Sequence, residues 1–302
     1  MNEAELLEQI QATFARPRKS NLVVPNGDDG AVFTSNQQVI VCADVAVEGV
    51  HFRLDWSSHF EVGRKITAAN LADVCAMGGW PDFLLVTAVI PERYADSVVE
   101  LAEGIAHEAD LVGAQVIGGD ISSGDVLSVS ITALGQTQKP LLRSGARPGD
   151  RVLVSELPGL SAAGLDILSS GVRAESNLKV RAVAQHKSPR IDYQKYRDSF
   201  SRLNSAIDVS DGLLTDAGHI ASASNVCVEL ESGRLEASEL KEVDPEKFLE
   251  WVLNGGEDHV LLGTAIDPIP GFIEIGKVRA GSGICLDGKE ISAGGYSHSW
   301  GS

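Results

Sequence analysis

Apolar and polar positions along this chain fall into a run of helical and extended stretches. Leu6, Leu7, Ile10 and Phe14 recur at helical spacing and predict a first amphipathic helix. The segment 15–21 breaks it. A turn cluster, Asn26-Gly27-Asp28-Asp29-Gly30, then leads into Ala31-Val32-Phe33. Residues 39–43 (VIVCA) read as a buried strand that ends in Asp44. Residues 61–79 are the stretch around which the rest is organised. There Val62, Ile66, Ala69, Asp73 and Ala76 step by four, three, four and three, one face of a helix, apolar except for Asp73. A lone carboxylate on a core-facing stripe asks for a cation or a hydrogen-bond donor. Alternatively Asp73 caps a neighbouring loop or faces solvent. Trp80-Pro81 is expected to stop this helix.

Further along, residues 83–90 predict a second buried strand closed by Pro91, and residues 96–111 a helix. Residues 115–117 predict a third strand that runs into Gly118-Gly119-Asp120, and residues 126–134 alternate as a fourth. The second half opens with a strand at 151–155 and a Gly-rich helix start. Residues 179–197 are basic and predict an exposed helix that ends before Ser188-Pro189. Ser205 to Ser210 is extended, and Asp211-Gly212 open a helix to about Ser224. Trp251 to Leu262 holds two glycines, two acids and an apolar run. A domain boundary is expected within residues 136–151, where Lys139, Arg143, Arg147 and Arg151 form a basic island. That island is either a phosphate-docking place or a solvated linker.

Bulk composition narrows the function. The chain has 302 residues and a formal charge of −17, from 42 acidic and 25 basic residues. That balance opposes nucleic acid and anionic membranes as partners and suits metal cations. Apolar content of 43% and charged content of 22% are those of a globular protein. The first residues carry Glu3, Glu5 and Glu8 and do not read as a secretory signal. No apolar run approaches the roughly 18 residues of a membrane span. Cys42, Cys75, Cys227 and Cys285 are scattered without metal-ligand spacing, which points to a reduced, cytoplasmic setting.

Candidate chemistry lies in acids that end strands or interrupt apolar surfaces: Asp29, Asp44, Asp73, Asp120, Asp208 and Asp211. Asp208 and Ser210 project to one side of an extended segment. Asp211 sits beside a helix N-terminus, which favours anions. Carboxylates at an anion site make sense with a divalent metal bridging to phosphate. Magnesium binds best through a few carboxylates plus substrate phosphates. Neither the phosphate-loop signature nor the protein-kinase set is present. The residues therefore point to a Mg-dependent nucleotide or phosphate enzyme of another lineage.

A set of motifs recurs in order: Gly27-Asp28-Asp29-Gly30-Ala31-Val32; Asp44 with Val47-Glu48-Gly49-Val50-His51-Phe52; Asn70-Leu71-Ala72-Asp73 with Ala76-Met77-Gly78; Gly118-Gly119-Asp120; Arg143-Ser144-Gly145-Ala146-Arg147-Pro148-Gly149-Asp150; Ile207-Asp208-Val209-Ser210-Asp211-Gly212-Leu213; and Gly255-Gly256-Glu257-Asp258. The set resembles the thiamine-monophosphate kinases, within the superfamily of aminoimidazole ribonucleotide synthetase and selenophosphate synthetase. The resemblance spans nearly the whole chain. It implies an α/β fold of two domains. The first, residues 1–138, has a mixed sheet that pairs across a homodimer and binds metal and ATP. The second, residues 139–302, is an α/β sandwich that completes the nucleotide and substrate site.

The resemblance also implies ATP-dependent phosphorylation of thiamine monophosphate to thiamine diphosphate, by direct in-line transfer with several Mg²⁺ ions. By motif, the metal would be held by Asp29, Asp44, Asp73, Asp120, Asp208 and Asp211, with Asp73 and Asp211 central to catalysis. Gly119, Asp120, Arg143 and Ser210 would meet ATP; His51, Glu257 and Tyr296 would meet thiamine monophosphate. Three departures stand out. Cys42-Ala43 replaces a family Ser or Thr before Asp44, Val112 replaces a Tyr, and His259 replaces a Tyr after the Glu-Asp pair. The rival readings are another superfamily synthetase acting on a purine precursor, and a non-catalytic Mg-nucleotide-binding protein.

Overall fold

A computed structural model describes residues 3–25, 30–292 and 294. The chain divides into two compact units, residues 1–75 with 79–140, and residues 76–78 with 141–302.

In the first unit, α1 (Glu3–Phe14) precedes a short hairpin of β1 (Leu22–Val24) and β2 (Val32–Phe33). Then come β3 (Gln38–Val47), α2 (His59–Ala76), β4 (Trp80–Ile90), α3 (Val98–Val112), β5 (Gln115–Ser123) and β6 (Ser128–Thr137). The long strands form a four-stranded sheet in the order β3-β6-β4-β5. Only β4 and β5 run parallel, and α3 is the crossover that a parallel pair needs. Asp82 anchors the residues around the hairpin to the sheet. Its carboxylate meets Lys19, the Asn21 amide at 2.7 Å and the Gln136 amide at 2.7 Å.

Helices α2 and α3 cross in near backbone contact. A Cβ on Gly63 would lie 2.2 Å from the Leu101 carbonyl oxygen, and one on Gly104 would lie 2.1 Å from that of Phe60. Only glycine allows that approach. Glu108 on α3 is wholly buried, and Arg64 on α2 answers it at 2.8 Å. Removing Arg64 would take the guanidinium from a buried carboxylate and weaken the α2–α3 contact.

Several expectations are corrected here. Helix α2 is buried on nearly every side, including Ala68, Leu71, Ala72, Val74 and Cys75, so the stripe through Asp73 is not its single core face. Asp73 is half-buried, in line with half-buried Ala69 and Met77. Small apolar residues occur all round this helix, and periodicity therefore singles out no face. The helix ends at Ala76 through Gly78 (φ 71°), and Trp80-Pro81 already belong to β4. A 3₁₀ turn at Glu92–Ser97 precedes α3. β3 is an edge strand rather than a buried one, with Val39, Val41 and Val45 exposed by 42%, 61% and 50%. Asp44 and Asp120 lie inside strands, not at strand ends: Asp44 pairs with Ile131, and Asp120 with Thr87. Gly118-Gly119 continue the ladder, and a Cβ on Gly119 would lie 1.9 Å from the Val86 carbonyl oxygen.

The second unit runs β7 (Arg151–Val154), α4 (Leu160–Ser170), α5 (Asn177–Lys187), α6 (Tyr193–Ser199), β8 (Ser205–Val209), α7 (Leu213–Ser224), β9 (Cys227–Leu230), α8 (Ser232–Leu235), α9 (Phe248–Asn254), β10 (Val260–Ala265), β11 (Ile273–Arg279), β12 (Gly283–Leu286) and β13 (Lys289–Ile291). Its seven-stranded sheet has the order β13-β12-β9-β11-β7-β10-β8 and is antiparallel except for β9 with β12. Val152, Val154, Ile207, Val209, Leu213, Ile220, Val252 and Leu262 form one core between sheet and helices. The strands after residue 265 are short, and β11 carries Glu274, Gly276 and Lys277 among its apolar residues, which hides its alternation in the sequence. The basic segment 179–197 is two helices, α5 and α6, separated at Ser188-Pro189.

Candidate active site

On the first unit, Asn70 of α2 clamps β3. Its Oδ1 accepts from the Asp44 N–H at 3.2 Å, and its Nδ2 donates to the Ile66 carbonyl at 2.9 Å. Ser130 Oγ donates to the Asp44 carbonyl at 3.0 Å. Asp73 follows one helical turn after Asn70, so Asp44 and Asp73 are placed by the same helix. The pairing register sets Asp120 on the open face of the sheet, beside Thr87, Ser130 and Val45. Ala43 shares that face, while half-buried Asp44 points to the α2 side. Val112, the last residue of α3, is buried, and its carbonyl accepts from Trp80 Nε1 at 2.9 Å.

The loop after β3 folds back on itself. Gly49 N–H donates to the Phe52 carbonyl at 2.8 Å, and Val47 N–H donates to His51 Nδ1 at 3.1 Å. His51 therefore accepts at Nδ1 and carries its proton on Nε2.

On the second unit, β8 delivers Asp208, and the turn Ser210-Asp211-Gly212 starts α7. Gly212 (φ 113°) makes the turn. Asp216, in the first turn of α7, reaches back, and its Oδ2 accepts from the N–H groups of Ser210 and Asp211 at 3.1 Å each. Burial first, and then the Asp208 charge, push the Asp216 carboxyl up to about 7. The motif reading missed Asp216. Its signal was an acid in the first turn of a helix that opens after Asp-Gly.

Residues 255–259 run alongside this turn. Glu257 N–H donates to the Ser210 carbonyl at 2.8 Å, and His259 N–H to that of Val209 at 2.9 Å. A Cβ on Gly256 would lie 2.3 Å from the Ser210 oxygen. His259 is buried, with Nδ1 3.1 Å from Asp208 Oδ2, and Tyr196 O–H holds its carbonyl at 2.6 Å. Glu257 lies 3.6 Å from His186 Nδ1. Asp258 points the other way, into the start of α4. It accepts from Gly159 N–H at 2.6 Å and Ser161 N–H at 2.9 Å, and burial raises its pKa to about 6.

Of the basic island, Lys139, Arg143 and Arg147 are exposed, whereas Arg151 is paired with Glu274 in the sheet. Asp29 and Tyr296 lie outside the described residues. Asp44, Asp73 and Asp120 belong to the first unit, and Asp208 and Asp211 to the second.

Magnesium fits this donor chemistry. The candidates are hard carboxylate oxygens, and the repulsion between Asp216 and Asp208 is of the kind a divalent cation relieves. Among the described residues, no three His, Cys, Asp or Glu side chains gather as a protein-only cage. Magnesium seldom uses such a cage. It takes one or two carboxylates and completes its shell with water and phosphate oxygens.

Comparison with known proteins places this geometry. Residues 27–137 match the AIR synthase related protein, N-terminal domain. The thiamine-monophosphate kinase of Aquifex aeolicus (strain VF5) is 34% identical, with 90% of this chain and 92% of that protein covered. A crystal structure of thiamine-monophosphate kinase from Stenotrophomonas maltophilia K279a superposes with a TM-score of 0.85 at 29% identity, covering 96% of this chain and 98% of that one. A structure of AaThiL complexed with AMPPCP and TMP gives a TM-score of 0.82 at 31% identity, covering 98% of this chain and 96% of that one. The α/β fold expected from the motifs is the one these structures share. With kinase sequences matching over nine-tenths of its length, the chain belongs to the thiamine-monophosphate kinase family.

Proposed function

We propose that this protein transfers the γ-phosphoryl group of ATP to the phosphate of thiamine monophosphate, forming thiamine diphosphate and ADP. The observation that carries this reading is end-to-end similarity to a chain solved with an ATP analogue and TMP. In this reading Asp29, Asp44, Asp73, Asp120, Asp208 and Asp211 hold Mg²⁺, Gly119, Asp120, Arg143 and Ser210 meet ATP, and His51, Glu257 and Tyr296 meet thiamine monophosphate. Bound magnesium supplies charge neutralisation between donor and acceptor phosphates.

The chain's own residues supply positioning. The acceptor nucleophile is already a phosphate oxygen, so no strong general base is required, and transfer is direct and in line. Asn70 keeps Asp44 and Asp73 on one rigid helix–strand contact, and Asp216 shapes the turn that presents Ser210 and Asp211. His259 occupies one oxygen of Asp208, which fixes the orientation of that carboxylate.

The enzyme is further proposed to be a cytoplasmic homodimer. Val39, Val41 and Val45 on the open face of the first sheet support pairing with a second copy, and four scattered cysteines without a disulfide framework support a reducing compartment. The deciding experiment incubates the protein with ATP and thiamine monophosphate, with and without Mg²⁺, and measures thiamine diphosphate. Formation only with Mg²⁺ is the expected result. Mg-ATP binding without product would favour the non-catalytic reading, and turnover of a purine precursor instead would favour the synthetase.

A further inference from the structure

Cys227 opens β9 and Cys285 lies on β12, 58 positions further along the chain, yet their sulfurs are 3.5 Å apart. The pairing register explains the meeting. β12 runs parallel to β9, with Gly283 opposite Cys227 and Cys285 opposite Glu229. Side chains two apart on a strand share a face, so the two cysteines are diagonal neighbours on one side of the sheet. The residue directly opposite Cys227 is a glycine, which puts no side chain in the way.

The pair is asymmetric. Cys227 is buried and Cys285 half-buried. The Cys227 S–H donates to Cys285 Sγ, and burial, followed by this hydrogen bond, pushes the Cys227 thiol up. A thiol that keeps its proton is a poor nucleophile, so attack on an oxidant starts at the more accessible Cys285. Arg279 stands opposite Cys227 on β11, paired with Glu229, and Glu290 stands opposite Cys285 on β13. The strand that carries Cys285 is four residues long and lies between turns, with positive φ at Gly281 (136°), Gly283 (80°), Asp287 (51°) and Gly288 (77°). Bringing the sulfurs to a bond of about 2.0 Å asks for a shift of about 1.5 Å, which such a segment can make. The other two cysteines are placed differently: Cys42 Sγ donates to the Asn70 carbonyl at 3.4 Å, and Cys75 is wholly buried on α2.

We propose that Cys227 and Cys285 are a redox-reactive dithiol, closed to an intramolecular disulfide by a hydroperoxide and reopened by a dithiol reductant. The Cys285 thiolate attacks the O–O bond and becomes a sulfenic acid, and the hydroxide released takes up the proton that Cys285 gave up. The Cys227 sulfur then attacks the Cys285 sulfur. The S–O bond breaks as the S–S bond forms, and the departing hydroxide leaves as water with the Cys227 proton. The two sulfurs together lose two electrons, and the peroxide gains them. A dithiol reductant returns two electrons and two protons and leaves as its own disulfide. The proposal goes beyond the kinase reading and is independent of it. In a reducing compartment the pair rests as thiols and responds to an oxidant. The bond ties β9 to β12 and closes the chain between them in the unfolded state, which raises the unfolding midpoint.

The test exposes the full chain to hydrogen peroxide, alkylates the remaining thiols and reads each cysteine by peptide mass spectrometry, alongside thermal unfolding. Wild type should show a disulfide between Cys227 and Cys285 and a higher unfolding midpoint, both reversed by dithiothreitol. Cys227→Ser should stop at the Cys285 sulfenic acid, trapped by dimedone, with no gain in midpoint. Cys285→Ser should show neither the disulfide nor the gain, and its Cys227 should react more slowly than Cys285 does in wild type. The wild-type disulfide map is a readout that does not depend on either variant folding.

Peroxide-treated wild type in which Cys227 and Cys285 stay open to alkylation, or oxidise singly without joining, would overturn the proposal. So would a disulfide formed in their place between two chains or with Cys42 or Cys75.

Discussion

The amide oxygen of Asn70 accepts the backbone N–H of Asp44 across 3.2 Å, joining α2 to β3 at a candidate metal-binding acid. The same side chain donates to the Ile66 carbonyl, and Asn70 is completely buried. Replacing it by Leu leaves the Asp44 N–H without its acceptor and should cost about 1–3 kcal/mol of stability. Thiamine diphosphate formation should fall by more than the unfolded fraction explains, because Asp44 and Asp73 lose their common support. Urea unfolding and an activity assay on the folded protein measure the two effects separately.

Asp73→Asn should abolish turnover and leave the fold intact. Asp73 is half-buried on a helix whose packing is carried by its neighbours, and the change is isosteric. Chelation with EDTA should give the same loss in wild type, and added Mg²⁺ should restore it. Circular dichroism together with the kinase assay checks both outcomes. Near-normal activity of Asp73→Asn would remove that residue from the metal site.

The carboxyl of Asp258 gives stability a pH dependence of its own. Its pKa rises from 3.8 to about 6 on folding, chiefly through burial. A raised pKa means that the folded state holds the proton more tightly. The contribution is complete below the unfolded value and is lost as pH climbs through the folded one. A shift of that size corresponds to about 3 kcal/mol. Between about pH 4 and pH 6.5 wild type should therefore lose stability relative to Asp258→Asn, with a flat difference above. Unfolding midpoints of both proteins across that range provide the measurement.

Val41 is the most exposed of the open-face valines of β3, at 61%. If this face pairs with a second copy, Val41→Lys places a charge in an apolar contact and should shift the protein to monomer. Sedimentation velocity at micromolar concentration reads the result, with wild type expected as a dimer. A wild type that sediments as a clean monomer contradicts the pairing.

Local chemistry was legible in advance. The run from Ser205 to Leu213 has an alternating apolar pattern followed by Asp-Gly, and it forms β8, a turn and α7 because each step depends on neighbours in sequence. The Glu257-Asp258 pair looked like one unit, yet the two side chains part, Glu257 toward His186 and Asp258 into the start of α4. Positive φ at Glu257 (62°) and His259 (52°) twists them apart, and nothing in their residue types announces that.

From the amino-acid order alone came the longer helices, most strands of the first unit and the ordered acidic motifs that mark the family. These rest on local spacing and turn chemistry. Only the folded chain decided that His259 sits against Asp208, 51 positions away, and that Asn70 grips Asp44. The first contact depends on β10 pairing with β8 in the register that sets Val260 against Val209, and the second on where α2 crosses β3. Such contacts arise from sheet register and helix packing, which are settled by the burial of many residues at once rather than by any short stretch.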